Sequence, residues 1–426
     1  MAVNGRVRVI RDPFRLRLRL TVLATTIVMG ACLGGTELVS PPRIPVTSVT
    51  LEFRVDSEDA ATAAALGWTN GIPGVHVTVT PADTSGGVPR FLQGSDSGTL
   101  FLDQVAGRYT IDLERWLTDS ERAQLPAGDD AVGFVAHTVL FTETAPTQIP
   151  VAMVASRRHG IVISEWKGDP VQAANFETYL FTGYLRLYNN TDSTIYLDGF
   201  VIGSGLASQF DYPNYPCSLY LPYALDPNGV WANWFHQLPG RGTDYPLSPG
   251  GTAVLATDAI DHRPLYPIGL DLRQANFEFY AGAGDVDNPD VPNAPDIGTR
   301  PNPAGHGLLW AGLASVAFIA RPLDRSALRT EFFGNVTWAR IPAASLLDVM
   351  AMKTTYKSGY TECSWLVHPR FDRQLVQLLG RPIVDDTLAY RRRAVPFTIN
   401  GRPVLQYTRT SAWDFTTAPR RPFAIP

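Results

Sequence analysis

Two clusters of side chains in this 426-residue chain have types and spacing that invite metal chemistry. One is the acidic loop Asp285-Val286-Asp287-Asn288-Pro289-Asp290, with Asp296 beyond it. Ca²⁺ is the ion such oxygens would take, since it needs six to eight of them. The spacing is not that of an EF-hand, however, and Pro289, Pro292 and Pro295 hold the segment extended. The plainer expectation for Asp285, Asp287 and Asp290 is a solvated loop built on Asx turns, with no cofactor. The other cluster is Asp258, Asp261 and His262, to which His236 or His306 would have to be added. No H-x-x-x-H or H-E-x-x-H pair preforms that site, so a turn whose carboxylates accept backbone N–H groups is expected. Ser204, between Gly203 and Gly205, lacks the G-x-S-x-G spacing of a nucleophile elbow. Paired carboxylates for glycoside hydrolysis need not be adjacent in sequence. A glycan or metal-dependent hydrolase using carboxylates of the C-terminal part therefore stands as the alternative function, with no catalytic residue assigned.

Residues 210–245 concentrate aromatic side chains among Pro, Asn and Gly: Phe210, Tyr212, Tyr215, Tyr220, Tyr223, Trp231, Trp234, Phe235 and Tyr245. Aromatics on loops stack on sugar rings or anchor a protein partner. Tyr212, Tyr215, Trp231 and Trp234 are the candidate ligand-binding residues. The competing expectation is that the group fills the core beneath a long connection near Cys217. The triplet Arg391-Arg392-Arg393 is expected at a solvated strand end, with contact to a lipid headgroup as the alternative.

The three cysteines divide into one and two. Residues 1–19 carry six arginines against the single acid Asp12, and a twelve-residue apolar run, Leu20 to Ala31, follows. That run is shorter than the ~20 residues a spanning helix needs. A basic start, a short apolar stretch and small residues at its end describe an export signal, residues 1–31. Its end, Met29-Gly30-Ala31-Cys32, resembles a bacterial lipobox, in which the Cys32 thiol receives diacylglycerol. Several buried acyl chains, at about 0.8 kcal/mol per CH₂, anchor stably where one does not. Leu33, in place of the aspartate that retains lipoproteins at the inner membrane, favours the outer membrane or cell surface. Cys217 and Cys363 then both lie in the exported part, where disulfides persist. A bridge between them would close a loop of 147 residues and contribute up to about 5 kcal/mol. Two unrelated buried thiols are the alternative, and neither cysteine has another Cys or His at metal-ligand spacing.

The elements that must position these groups read as β-strands. Hydrophobic residues make up 45% and charged residues 18% of the chain, a composition that folds, while 36 Gly and 34 Pro argue against an all-helical bundle. The formal net charge of −4 gives no reason to expect nucleic-acid binding. Residues 32–47 are Gly/Pro-rich and read as a lipid-anchored linker. Residues 48–156 contain about seven short strands. Val49, Leu51, Phe53 and Val55 alternate in one, and Val75, Val77 and Val79 share a face of another, with His76 between them. Short strands at this spacing predict a sandwich. Residues 160–426 form a larger β-rich region. Ile161–Trp166 reads as a strand, Gly183–Tyr188 as one strand of a hairpin with Thr194–Phe200 as the other, and Thr252–Ala256 as buried. Ile341–Met350 reads as a single helix with Pro342 in its first turn.

The segment "GIPGVHVTVTP … SDSGTLFLDQVAGRYTIDLE" resembles the immunoglobulin-like or carboxypeptidase-regulatory-like modules of secreted bacterial proteins. "ISEW … YLRLYNNTDSTIYLDGFVI" resembles the opening of lamin-tail-like β-sandwich domains. Four further segments follow in order: Leu238–His262, Asp271–Asn293, Arg340–Met350 and Leu405–Phe415. Together they are similar to a family of bacterial surface lipoproteins of comparable length, domain of unknown function 4876. The resemblance implies location and a mainly β architecture, an immunoglobulin-like sandwich followed by a larger lamin-tail-like one, and no activity. The function expected is that of a non-catalytic, lipid-anchored envelope protein. Its partners would be the membrane and a ligand such as a glycan or an outer-membrane protein, for example a transporter component. A structural or adhesive envelope role is the second alternative.

Overall fold

The computed structural model describes residues 46–82, 88–105, 107–141, 147–168, 171–172, 178–179, 182–206, 216–264, 269–280, 287–299, 314–354, 367–378 and 387–426. Strands dominate them, and the fold is mainly β and sandwich-like.

The alternation in the first half places every second residue in a core. Val49, Leu51 and Phe53 are buried along Val46–Val55, as are Val77 and Val79 along His76–Pro81. Seven strands form one sheet in the order Arg90–Gln93, His76–Pro81, Arg108–Trp116, Ala131–Phe141, Gln148–Arg157, Val46–Val55 and Thr99–Val105. The strand Gln148–Arg157 changes partners along its length. Gln148–Met153 pairs in parallel with Thr50–Val55, and Val154–Arg157 pairs antiparallel with Ala131–Val135. That switch lets the sheet close over a single apolar cluster drawn from strands on both sides of it. A short helical turn, Asp119–Arg122, carries a capping box between Thr118 and Glu121.

From Ile161 the chain builds two more seven-stranded sheets. One runs Asn293–Pro295, Phe277–Tyr280, Thr252–Ala256, Tyr184–Asn189, Ile161–Lys167, Leu388–Arg392 and Phe415–Pro419. The other runs Thr330–Phe333, Val336–Pro342, Gly229–Gln237, Val201–Gly205, Ala314–Ala320, Leu346–Thr354 and Val376–Leu378. Ile163, Leu185, Leu187 and Leu255 of the first meet Ile202, Ile319, Met350 and Met352 of the second in one core. The outer face of the second is also covered, by a cluster including Val230, Phe235, Phe318, Ile341, Val349 and Phe371.

Two sequence expectations are corrected here. Ile341–Met350 is not a helix. Val336–Pro342 ends in a turn closed by the Ser345 N–H on the Pro342 carbonyl at 2.9 Å, and Leu346–Thr354 leaves as a strand. Met350 and Met352 enter one core while Val349 and Ala351 enter the other, so burial on both faces overrides the helix-like spacing. Nor does Thr194–Phe200 pair back on Gly183–Tyr188. Tyr184–Asn189 pairs with Thr252–Ala256 and Ile161–Lys167, whereas Ile195–Tyr196 pairs with Pro246–Leu247. The Asn189 amide bonds the Ser193 and Leu247 carbonyls, holding the Asn-rich turn as a crossover to the second sheet.

Residues Val46–Pro426 make one compact unit. The hairpin Ala394–Ile399/Arg402–Leu405, turned at Asn400-Gly401 with both φ positive, packs Val395 and Val404 with Val132 and Trp116 of the N-terminal sheet. Beside it Arg373 and Arg409 both reach Glu58, at 2.7 and 2.5 Å.

Candidate functional site

Most groups with chemical potential are committed to holding the sheets together. Glu165, fully buried, accepts from Arg391 at 2.7 Å, from Arg186 at 3.1 Å, from the Arg421 backbone N–H at 2.7 Å and from the Tyr184 hydroxyl. Burial first, and the Glu165 charge second, push the Tyr184 phenol well above its ordinary range. Arg186 in turn donates to the Arg421 and Ala424 carbonyls, which fastens the C-terminal tail to the sheet.

A second network surrounds Arg392. It donates to Asp348 at 2.6 Å, Asp414 at 3.2 Å and the carbonyls of Ile163 and Gln406, and lies 4.3 Å from the Phe415 ring centroid. The expectation of a solvated arginine triplet is therefore corrected at its centre. Arg392 is 2% exposed because strand alternation turns it inward against two carboxylates. Asp414 also takes the Thr408 N–H and hydroxyl, and Asp372 takes the Ser411, Gln374 and Ala351 N–H groups. Burial raises the Asp348 and Asp414 carboxyls and lifts Asp372 to about 7, against the lowering by its hydrogen bonds. The Leu405–Phe415 segment thus closes a buried polar network.

The metal candidates fall into structural roles. His262 is fully buried, with its Nε2 3.0 Å from the Asp258 carbonyl, and burial lowers its pKa. Asp261 and Asp271 form an exposed ion-pair group with Arg263 and Arg273. His236 is buried with Nδ1 2.8 Å from the Ala294 carbonyl, and His306 lies outside the described residues. In the acidic loop Asp285 lies outside the described residues, Asp287 accepts from the Asn293 amide at 2.7 Å, and the Asp290 N–H closes an Asx turn on Asn288. The Asn288 N–H donates to buried Glu278, which also accepts from Ala259. Among the described residues no three His, Cys, Asp or Glu side chains gather as a metal site.

Of the four aromatic candidates, Tyr212 and Tyr215 lie outside the described residues. Trp231 is corrected. It is 2% exposed, donates to Asp226 at 3.0 Å and packs edge-on to Tyr223 and Phe333, so it offers no face to a ligand. Trp234 is half-buried against the core between the sheets. Cys217 opens the helix Cys217–Ala224, while Cys363 and Cys32 lie outside the described residues.

An open groove of about 490 Å³ lies elsewhere, on the N-terminal sandwich, and no sequence expectation pointed to it. The helix Ala60–Ala65 ends on Gly67 at φ 72°. The Gly67 N–H bonds the Ala64 carbonyl at 3.0 Å and the Trp68 N–H bonds the Ala63 carbonyl at 2.9 Å. This Schellman cap brings Trp68 back over Ala63, and both line the groove. Phe134 lies 5.3 Å from the indole and the Arg115 guanidinium 5.2 Å from it, fixing its orientation. Beyond it the loop is pressed onto the sheet. The Ile72 N–H bonds the Phe53 carbonyl at 3.0 Å, and Gly71 meets Gly98 so closely that a Cβ on Gly98 would fall 2.8 Å from the Gly71 Cα. Thr69, Asn70, Thr99 and the Glu52–Arg54 pair complete the lining. The only sequence signal for it was a lone tryptophan among Gly67, Thr69, Asn70 and Gly71.

A cleft of about 440 Å³ lies where the C-terminal hairpin meets the N-terminal sheet, lined by Arg122, Asp129, Asp130, Arg158, Asp192 and Ile399 among others. Arg158 pairs across it with Asp192 at 2.7 Å, and Asp192 also takes Arg402 from outside the lining.

The fold and these sites define a β-sandwich protein with buried ion clusters and an open aromatic groove. A family model described as "Protein of unknown function (DUF4876)" matches residues 248–322, and the chain resembles that family. Among solved structures, the crystal structure of a DUF4876 family protein from Bacteroides thetaiotaomicron VPI-5482 has 16% identity and a TM-score of 0.46, and the match covers 87% of this chain and 94% of that one. No curated protein matches.

Proposed function

We propose that this protein is a lipid-anchored component of the bacterial envelope whose ectodomain binds a ligand without transforming it. The observation that carries the binding reading is the groove beside Trp68, where an oriented indole stands next to the exposed side chain of Asn70. Asn70 is exposed and makes no side-chain hydrogen bond to another described residue. Glu165, Asp348, Asp372 and Asp414 are each buried among backbone, hydroxyl or arginine donors, which supports structural roles for these four carboxylates.

The anchor rests on the basic start, the short apolar run and Met29-Gly30-Ala31-Cys32, with Leu33 favouring an outer-membrane or cell-surface location. In this reading the N-terminal sheet acts as an immunoglobulin-like platform and the larger sandwich as a lamin-tail-like body, with an outer-membrane protein as a further partner. A Cys217–Cys363 bridge fits the same exported setting, where disulfides persist. The test is metabolic labelling with a palmitate analogue in the producing bacterium. The wild-type chain takes label and partitions into detergent, and Cys32→Ala does neither; label retained by the variant would refute the anchor.

A further inference from the structure

We infer that the groove lined by Trp68 is a binding site for an uncharged saccharide. The inference rests on the binding reading above and names its ligand class and place. Three features point the same way. The indole of Trp68 lines the groove as an apolar surface suited to the C–H face of a sugar ring; with the Arg115 guanidinium over its ring, Phe134 tilted against it and its helix cap, it is already held in place, so little ordering is left for the ligand to bring about. Around it stand Thr69, Asn70, Thr99, Glu52 and Arg54, which together offer hydroxyl, amide, carboxylate and guanidinium groups, the donor and acceptor mixture that sugar hydroxyls require.

The charge balance selects a neutral ligand. Among the described residues lining the groove Glu52 and Arg54 are the only charged ones, and they pair at 2.6 Å, so an anionic or cationic ligand would meet an already compensated pair. Beside Thr99 the hydroxyls of Ser95 and Ser97 lie 2.9 Å from each other, and that of Ser95 lies 2.9 Å from Thr99, extending the polar rim along which a second sugar unit would lie. At about 490 Å³ the groove falls within the ~300–1,000 Å³ of small-molecule clefts. The Gly71–Gly98 contact sets its depth, because a side chain at either position would collide with the opposite backbone.

The experiment is isothermal titration of the exported chain with neutral oligosaccharides: maltohexaose, cellohexaose, laminarihexaose, xylohexaose and mannohexaose. At least one saturates with a Kd at or below the millimolar range. Trp68→Ala and Asn70→Ala each weaken it by about tenfold or more, equivalent to about 1.4 kcal/mol. Asn70→Ala, at an exposed loop position, carries the test if Trp68→Ala fails to fold. Phe332→Ala, at an exposed position outside the groove, leaves Kd unchanged. Absence of saturable binding to every probe overturns the inference, as does an unchanged Kd in a folded Trp68→Ala or, where that variant does not fold, in Asn70→Ala. So does binding of a neutral unstructured peptide that Trp68→Ala abolishes while no saccharide binds. Palmitate labelling is read on the same preparations, so loss of the saccharide site is distinguished from loss of the anchored-protein reading.

Discussion

Asp372 gives the sharpest quantitative test of how the second sandwich is held. It is 3% exposed, its carboxyl takes three backbone N–H groups, and burial still lifts its pKa to about 7. The sign follows from proton counting. Below the ordinary value of 3.8 the group is protonated folded and unfolded and contributes nothing to the pH dependence. Between 3.8 and about 7 the folded chain keeps a proton that the unfolded chain has released, so stability falls as pH rises. Above about 7 the full cost is present. At 1.36 kcal/mol per pKa unit, the interval from 3.8 to about 7 corresponds to about 4 kcal/mol. Asp130, Asp348 and Asp414 are raised too, and His159 and His262 are lowered and act in the opposite sense. The measurement is therefore a difference. Wild type and Asp372→Asn are unfolded in urea from pH 4 to pH 8, and the unfolding free energies are extrapolated to water. Asparagine adds a constant cost, because its amide N–H₂ meets backbone donors, but it does not titrate. The wild type should lose about 4 kcal/mol relative to the variant across that range, most steeply between pH 5 and 7. Parallel curves, or a difference of opposite slope, would refute the assignment of Asp372 as a carboxyl held neutral by burial.

Arg392→Met leaves Asp348 and Asp414 buried beside an apolar group and should destabilise by about 3–5 kcal/mol in the same assay; a loss under about 1 kcal/mol would mean that the network contributes little. Trp231→Ala should cost about 3–5 kcal/mol through the cavity it leaves among Tyr223, Phe333 and Trp338, while leaving saccharide titrations unaltered; the reverse pattern would return Trp231 to the ligand site. Non-reducing peptide mapping should recover Cys217 joined to Cys363, and free thiol at both would end that pairing. Chelator should leave Tm unchanged, since Asp287 and Asn288 are already spent on Asn293, Glu278 and Ala259; a fall of several degrees would restore a cation to the acidic loop.

The strands of the N-terminal sheet were legible because alternation is a local property. Val75, Val77 and Val79 mark a buried face whatever their partners are, and all three are buried. The same local reading failed at Ile341–Met350. A turn there carries the chain between two strands buried on both faces, and double burial erases the period that separates helix from strand. The Asn400-Gly401 hairpin carries a local signature too, because a two-residue loop of that type between apolar runs is a strong turn signal.

By itself the amino-acid sequence determined the export and lipidation expectation, the β character of the chain and the alternating strands of the N-terminal sheet, because each depends on residues a few places apart. Tertiary structure alone decided which charged residues carry the fold and where a ligand has room. Glu165 meets Arg391 across 226 residues and Arg392 meets the Ile163 carbonyl across 229. The Trp68 groove exists only because a helix cap, a glycine contact and a strand end converge on it. Burial and desolvation are set by such distant partners, and no local pattern encodes them.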